Sequence, residues 1–377
     1  MNKMVKKKRI RIFLDVLMLI ATLIFAYILI HEMVDSVIST KQPFVDEQGE
    51  LDVDMKNYMV EAEPEAMFDG LDLDQYIEGQ YTILALGMDE DGLNTDVMML
   101  MVCDLNAAKI SILQIPRDCY VGPAYTSSDA EKINSVYSQG NNEGTNGISK
   151  VVNCVKDLFG IPIDGYMAIK CTDVAPVVDA MGGIPINLPE NVIYEKDKIL
   201  YAGQQVLTGE QSEWFVRFRH DYVEGDLGRI KSQRYFLAAA MQKVKDMGTL
   251  KLLSIYPTLK DYIKSDLDIS EIGKLADFAQ TVPMENVVAM IVPGEDLEKG
   301  EINDYYGYTI HKEETADILN KYFRPYQASM YSDELKIIEV KNTVGYYDDD
   351  QTSFGDIMNG NGPDVARKED QNQLPDE

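Results

Sequence analysis

The stretch Val216–Gln233, reading VRFRHDYVEGDLGRIKSQ, gathers Arg217, Arg219, Arg229 and Lys231 in a chain whose formal net charge is −28. An acidic chain that concentrates cations in one place has an anion to hold there. Arg217 and Arg219 sit two apart in an apolar run, so on a predicted strand over Trp214–Phe218 they share a face. Arg229 and Gln233 sit four apart after a glycine, so on a predicted helix they share one as well. A strand, a tight turn and a helix would then converge these side chains. The planar fork of donors on arginine suits phosphate oxygens. The alternative for Arg217 and Arg219 is a pair of solvated charges on an edge strand. The interleaved Phe215, Val216 and Phe218 argue for burial instead, and a buried arginine without an anion is costly. His220 reads as a hydrogen-bonded structural residue. Asp221 and Asp226 are each placed to orient an arginine, and Asp226 equally suits the positive end of the helix that follows.

A second concentration is carboxylate. Gly87-Met-Asp-Glu-Asp-Gly-Leu-Asn-Thr-Asp96 joins two apolar runs, with Asp89 after one and Asp96 opening the next. Two carboxylates beside a phosphate-gripping cluster suit Mg²⁺ (or Mn²⁺), which favours one or two carboxylates completed by phosphate oxygens and water. Acidic loops are also simply common in an acidic protein. Ile115-Pro-Arg-Asp118 ends a third apolar run. Arg117 there either reaches the Asp89/Asp96 loop, if the strands are neighbours, or pairs locally with Asp118. No Ser-His-Asp arrangement, HExxH, phosphate-binding P-loop or dinucleotide-binding glycine pattern is present.

The elements that must position these groups alternate between strand and helix. Apolar strands are predicted at 81–86, 97–103, 109–115, 165–170 and 286–292, with 184–188 an edge strand because of Pro185. Helices are predicted at 148–159, ending at Gly160, at 174–181, ending at Gly182, and at 228–247, 270–280 and 313–322. Thr208-Gly-Glu-Gln211 has the form of a capping box opening a short helix. This order implies an α/β fold, a three-layer α/β/α sandwich, with a sheet made mixed by the hairpin around Asn106-Ala-Ala108. That hairpin sets Cys103 across from about Lys109 and away from Cys119. For Cys103, Cys119, Cys154 and Cys171, free thiols and bridges both remain open. Residues 335–340 suggest one further strand, and the polar remainder from Asn342 suggests disorder.

The N-terminus is Lys- and Arg-rich over residues 1–11 and apolar over 12–33, about the ~20 residues that span a bilayer. The cations precede the segment, so residues 1–11 are expected in the cytosol and the rest outside. No small-residue cleavage site follows, which favours an uncleaved anchor over a signal peptide. Residues 34–75 read as an acidic stalk with one short helix around Met55–Ala62, 76–325 as the patterned domain, and 326–377 as an acidic, partly disordered tail. A sequence pI near 4.4 excludes a nucleic-acid surface.

The ordered set Ile83–Asp96, Ile115–Asp118, Ile133-Asn-Ser-Val-Tyr137, Val178–Ile184, Leu207–Gln211 and Val216–Gln233 resembles the LytR-CpsA-Psr family, over roughly residues 76–325. The resemblance implies an apolar pocket for a polyprenyl chain, with its pyrophosphate at the mouth. It also implies transfer of a glycopolymer from that membrane-borne carrier to a hydroxyl of peptidoglycan. Carried over residue by residue, Asp89 and Asp96 hold the metal, while Arg117, Arg217, Arg219, Arg229 and Gln233 hold the pyrophosphate. Arg117 and Arg219 act in catalysis, and Asp226 orients or activates the acceptor. Two positions depart from the family pattern. The 90–94 loop carries no arginine, and Ser232 stands where a basic residue usually precedes the glutamine. Lys231 and Arg234 flank that position on other helix faces. These departures imply weaker neutralisation of the pyrophosphate, a different donor or reduced activity. Two further readings are a non-catalytic binder of polyprenyl phosphates and a lipid pyrophosphatase.

Overall fold

The structure, a computed structural model, describes residues 77–219, 222–326, 328–343 and 350–365. The expected anchor at 12–33, the stalk with its short helix, and His220 and Asp221 lie outside the described residues. Among the described residues no helix is long and apolar enough to cross a membrane.

Among the described residues, thirteen strands and nine α-helices follow in chain order. They are β1 (Gln80–Met88), β2 (Thr95–Asp104), β3 (Lys109–Ile115), α1 (Val136–Asn142), α2 (Gly147–Phe159), β4 (Gly165–Lys170), α3 (Val174–Met181), β5 (Ile184–Leu188), β6 (Val192–Glu195), β7 (Lys198–Leu200) and β8 (Gly203–Leu207). Then come α4 (Gly209–Arg217), α5 (Asp226–Met247), α6 (Thr249–Leu259), β9 (Ile263–Ser265), α7 (Ile269–Thr281), β10 (Val287–Ile291), β11 (Gly294–Leu297), β12 (Gly307–Ile310), α8 (Lys312–Tyr322), β13 (Thr352–Ser353) and α9 (Phe354–Met358). The main sheet has seven strands in the order β13-β10-β3-β2-β1-β4-β9. β1 and β2, and β2 and β3, pair antiparallel, whereas β4 runs parallel to β1 and β10 parallel to β3, so the sheet is mixed as expected.

Alternation along the strands separates two cores. Leu84, Leu86, Leu100, Val102 and Leu113 pack with Val151, Val155 and Leu158 of α2 and Leu319 of α8. Ile110, Ile112, Val287 and Ala289 pack on the other face with Ala238 of α5, Phe278 of α7 and Phe354 of α9. Helices therefore cover both faces of the central sheet, completing three layers. A third cluster joins α3, the small β5–β8 sheet and α4 through Ile184, Leu188, Leu207 and Phe215.

Four expectations are corrected. Trp214–Phe218 is not a strand. The Thr208 capping box is real, with Thr208 Oγ1 accepting from Gln211 N and the Gln211 side chain accepting from Thr208 N. The helix it opens runs on to Arg217, with Gly209, Ser212 and Phe215 buried at three-residue spacing and Trp214 and Val216 half-buried against the same core. Residues 335–340 form no strand, although Leu335 and Ile337 are buried in the first core. The chain beyond Asn342 is not without structure in its described part. Thr352–Ser353 pair with β10 at the sheet edge, and Phe354 and Ile357 enter the second core. Two apolar residues suffice where a preformed groove receives them, and averaged polarity hides them. The predicted hairpin register is one residue off, since Cys103 faces Ile110. All four cysteines are free thiols, with Cys103, Cys119 and Cys154 buried and Cys171 half-buried. Burial holds the Cys171 thiol above its ordinary range.

Candidate active site

β1, β3, β4 and β10 all point the same way, so their C-terminal ends gather at one end of the sheet, where α/β folds commonly bind ligands. A cavity of about 570 Å³ opens there. Its body is apolar, with Met99 and Met101 of β2, Met167 and Ile169 of β4, and Phe236 and Leu237 of α5. Methionines adapt to a flexible apolar occupant at little cost. Its mouth is charged and carries Asp89, Glu90, Asp91, Asp96, Arg217, Arg219 and Arg229.

Two glycines let the mouth form. Gly87 opposes Val97, where an added Cβ would come within 3.0 Å of the valine Cβ. The register then skips from Val97 to Thr95, leaving Asp96 as the extra residue of a bulge. Bulges re-aim side chains at sites, and this one turns Asp96 toward β3. Gly228 sits against Tyr222, whose Cβ would lie 2.6 Å from an added methyl. That contact seats Tyr222 against the first turn of α5. Phe218 and Tyr222 stack edge to face, with centroids 5.3 Å apart.

The Asp96 carboxylate accepts from Arg117 Nη1 at 2.7 Å, so Arg117 does reach the first loop. Asp118, the local alternative, binds Lys132 at 2.7 Å and also lies 3.8 Å from Arg117 Nε, so both readings of Arg117 are met. Arg117 Nε lies 3.6 Å from Asp226 Oδ1. Burial opposes the Arg117 charge, but Asp226, Asp96 and Asp118 together raise its pKa. From the first turn of α5, Arg229 donates to the Asp96 carbonyl at 3.0 Å and pairs with Asp226 at 2.9 Å. Arg229 is 4% exposed. Arg117 Nε and Arg229 Nε are buried without a hydrogen-bond partner, whereas Asp226 Oδ1 lies 2.9 Å from Arg229 Nη2 in an ion pair. Two buried donors in one place leave capacity that an acceptor oxygen can use.

The other predicted residues are placed differently. Arg217, at the end of α4, is held by Glu213 at 2.7 Å and by Glu90 across the mouth at 3.1 Å. Glu213 was hidden by the strand reading, since an i,i+4 pair forms only on a helix. Arg219 follows α4 in the turn, exposed and with no side-chain partner among the described residues. Gln233 lines the cavity beside Arg229, but its Nε2 donates to the Val216 carbonyl at 2.8 Å and ties α5 to α4. Lys231 is occupied by Glu224, and Arg234 is fully buried against Asp350, so neither substitutes for a basic residue at 232.

Asp89 mainly orders its own loop. Its carboxylate accepts from Leu93 N at 2.7 Å and from Asn94 Nδ2 at 2.9 Å. Burial works against the charge, but these bonds and those of the Asn94 and Gly92 backbone hold its pKa below the usual value. Among the described residues no cluster of three or more metal-ligating side chains is present. Asp89 and Asp96 both line the mouth and are oxygen donors of the kind a hard divalent cation takes, with the Cys171 thiol lining the same cavity.

The LytR_cpsA_psr family model matches residues 45–324. The chain belongs to the LytR-CpsA-Psr family. The matched stretch begins within the segment read as a stalk. Relatives within the family include TagU of Oceanobacillus iheyensis, a polyisoprenyl-teichoic acid–peptidoglycan teichoic acid transferase, 31% identical over 62% of this chain and 72% of its own. TagV of Bacillus subtilis, named for the same activity, is 25% identical over 60% of each chain. The crystal structure of Bacillus subtilis TagV superposes with a TM-score of 0.55 at 21% identity, covering 69% of this chain and 98% of that one. The LytR-CpsA-Psr fold is thus shared even where side chains have diverged.

Proposed function

We propose that this protein is a membrane-anchored extracellular phosphotransferase that moves a glycopolymer from a polyprenyl-pyrophosphate carrier to a hydroxyl of peptidoglycan. The observation that carries the reading is the union of an apolar cavity with an arginine- and carboxylate-lined mouth at the strand ends. The apolar body suits a prenyl chain and the mouth suits its pyrophosphate. The relatives named as teichoic acid transferases support the reaction class. The sequence of residues 1–33 supports the anchor and an external domain.

Phosphoryl transfer is mostly positioning and charge neutralisation. Arg219 and Arg229 grip the pyrophosphate, and Arg217 joins them once the anion displaces Glu90. Arg117, locked by Asp96, meets the phosphoryl group being transferred. Asp226 holds the acceptor hydroxyl and takes its proton as the new phosphorus–oxygen bond forms. The bond from that phosphorus to the bridging oxygen breaks, and polyprenyl phosphate leaves. A divalent cation at Asp89 and Asp96 would neutralise phosphate charge.

Arg219→Ala tests the reading, because the side chain is exposed and its loss leaves the fold intact. Transfer should fall roughly 10²–10³-fold, the cost of removing one donor to a developing charge. Normal wall glycopolymer in cells carrying only this variant sinks the proposal. One observation favours a second reading. Arg217 is already neutralised by two carboxylates, which suits a carrier-binding scaffold. Co-purified polyprenyl lipid without transfer at any Mg²⁺ concentration would select it.

A further inference from the structure

A second depression is linked to the cavity mouth through the ion pairs of Arg117. It is lined by Asp118, Tyr120, Lys132, Asn303, Tyr305 and Tyr306. Arg117 connects the two. Through Nη1 it holds Asp96, which lines the cavity, and its Nε lies 3.8 Å from Asp118, which lines the cleft. The loop between β11 and β12 that supplies the tyrosines is fixed to the same turn. Tyr308 N donates to the Asp118 carbonyl at 2.9 Å, and Tyr120 N donates to the Tyr308 carbonyl at 2.9 Å. Asn303 Nδ2 donates to the Ala130 carbonyl. This loop therefore holds a set position relative to Arg117 and Asp226.

The cleft encloses only about 10 Å³, so whatever binds there lies across it and not within it. Tyr305 is 45% and Tyr306 58% exposed, a large apolar area to leave in water beside a reaction centre. Lys299 sits 5.0 Å over the Tyr306 ring. The rim is hydrogen-bonding, with Asn303, Glu298 and the Asp118–Lys132 ion pair. Asp296 of β11 belongs to the same neighbourhood. Partial desolvation first, then the charges of Asp118 and Glu298, push its carboxyl above the ordinary range. Aromatic faces beside amide and carboxylate groups match a pyranose, whose axial C–H face is apolar and whose hydroxyls need partners.

We infer that this cleft is the acceptor site, where a glycan strand lies across Tyr305 and Tyr306 and presents a hydroxyl to Asp226 from the side opposite the lipid cavity. The inference rests on the transfer reading above. It is also what displacement at phosphorus requires, since attacking and leaving oxygens stand roughly in line. A donor cavity and an acceptor cleft on either side of Arg117 supply that line.

The test uses the full-length protein with Tyr305 and Tyr306 both changed to Ala, and in parallel both to Phe. The acceptor is soluble, uncross-linked peptidoglycan glycan strands. The alanine pair should raise the acceptor KM roughly tenfold, with kcat and the donor KM unchanged, and the phenylalanine pair should restore it. An unchanged acceptor KM, or a loss confined to the donor KM, overturns the inference. If the wild-type protein transfers nothing, the function proposed above fails, and direct strand binding by sedimentation decides this one. Weaker binding by the alanine pair supports the glycan surface. Equal binding, or none by either protein, means the tyrosines serve another partner and the inference is wrong.

Discussion

Arg229 and Arg234 stand five residues apart on one helix and are both buried, yet their surroundings are opposite. All three nitrogens of Arg234 are engaged. Nε donates to Gln114 at 2.7 Å, Nη1 to Thr352 at 3.0 Å and Nη2 to Asp350 at 2.6 Å. Arg229 keeps an unpartnered Nε, shares Asp226 with Arg117, and opens onto a cavity. A saturated buried arginine is structural, and here it fastens the C-terminal segment to the sheet and α5. An unsaturated one has hydrogen-bonding capacity held for something not part of the chain. The count of satisfied donors separates the two roles where burial does not.

Substitution can break this contrast. Arg234→Met should cost about 3–5 kcal/mol of stability, because it strands Asp350 and Gln114, while the folded fraction keeps its transfer rate. Urea unfolding and activity per folded molecule read the two effects, and a lost rate at unchanged stability would erase the distinction. Arg229→Gln should do the reverse, lowering transfer about 10²–10³-fold with a smaller loss of stability, as Asp226 retains Arg117. Glu90→Gln sharpens the picture at the mouth. Freeing Arg217 from a half-exposed ion pair should tighten binding of a polyprenyl pyrophosphate up to about fivefold, in line with ~1 kcal/mol for such pairs. Weaker binding would show that Glu90 serves the ligand instead. The smallest effect concerns Asp89. Its folded pKa lies below the ordinary aspartate value of 3.8, so its contribution is complete above pH 3.8 and is lost as pH falls through the lower folded value. Asp89→Asn should therefore flatten the acid limb of the stability curve below pH 3.8, and an unchanged limb would remove Asp89 from the ordering of its loop.

Much of the fold was legible because its signals are local. The β1–β3 runs, the Gly160 and Gly182 stops and the Thr208 capping box each depend on a few neighbouring residues. Arg229 and Gln233 were rightly placed on one helix face, and both line the cavity. The Trp214–Phe218 strand failed because a short, mostly apolar run fits both periods over five positions, and the capping box upstream opens a helix that runs through to Arg217. The C-terminal segment failed for the opposite reason. Its order comes from Arg234, 116 residues away from Asp350, and from an open edge of β10.

By residue type and spacing alone, the chain declares an α/β sheet, a basic segment in an acidic protein, carboxylates at a strand junction and a family. Only the tertiary structure decides which arginine is free. Arg217 is bound by Glu90, Arg117 by Asp96, and Arg234 by Asp350, and each of these pairs joins segments far apart in sequence. Charge and hydrogen-bonding capacity belong to single residues and can be read in order. Whether that capacity is already spent depends on what folding brings within about 3 Å, and sequence order does not carry that distance.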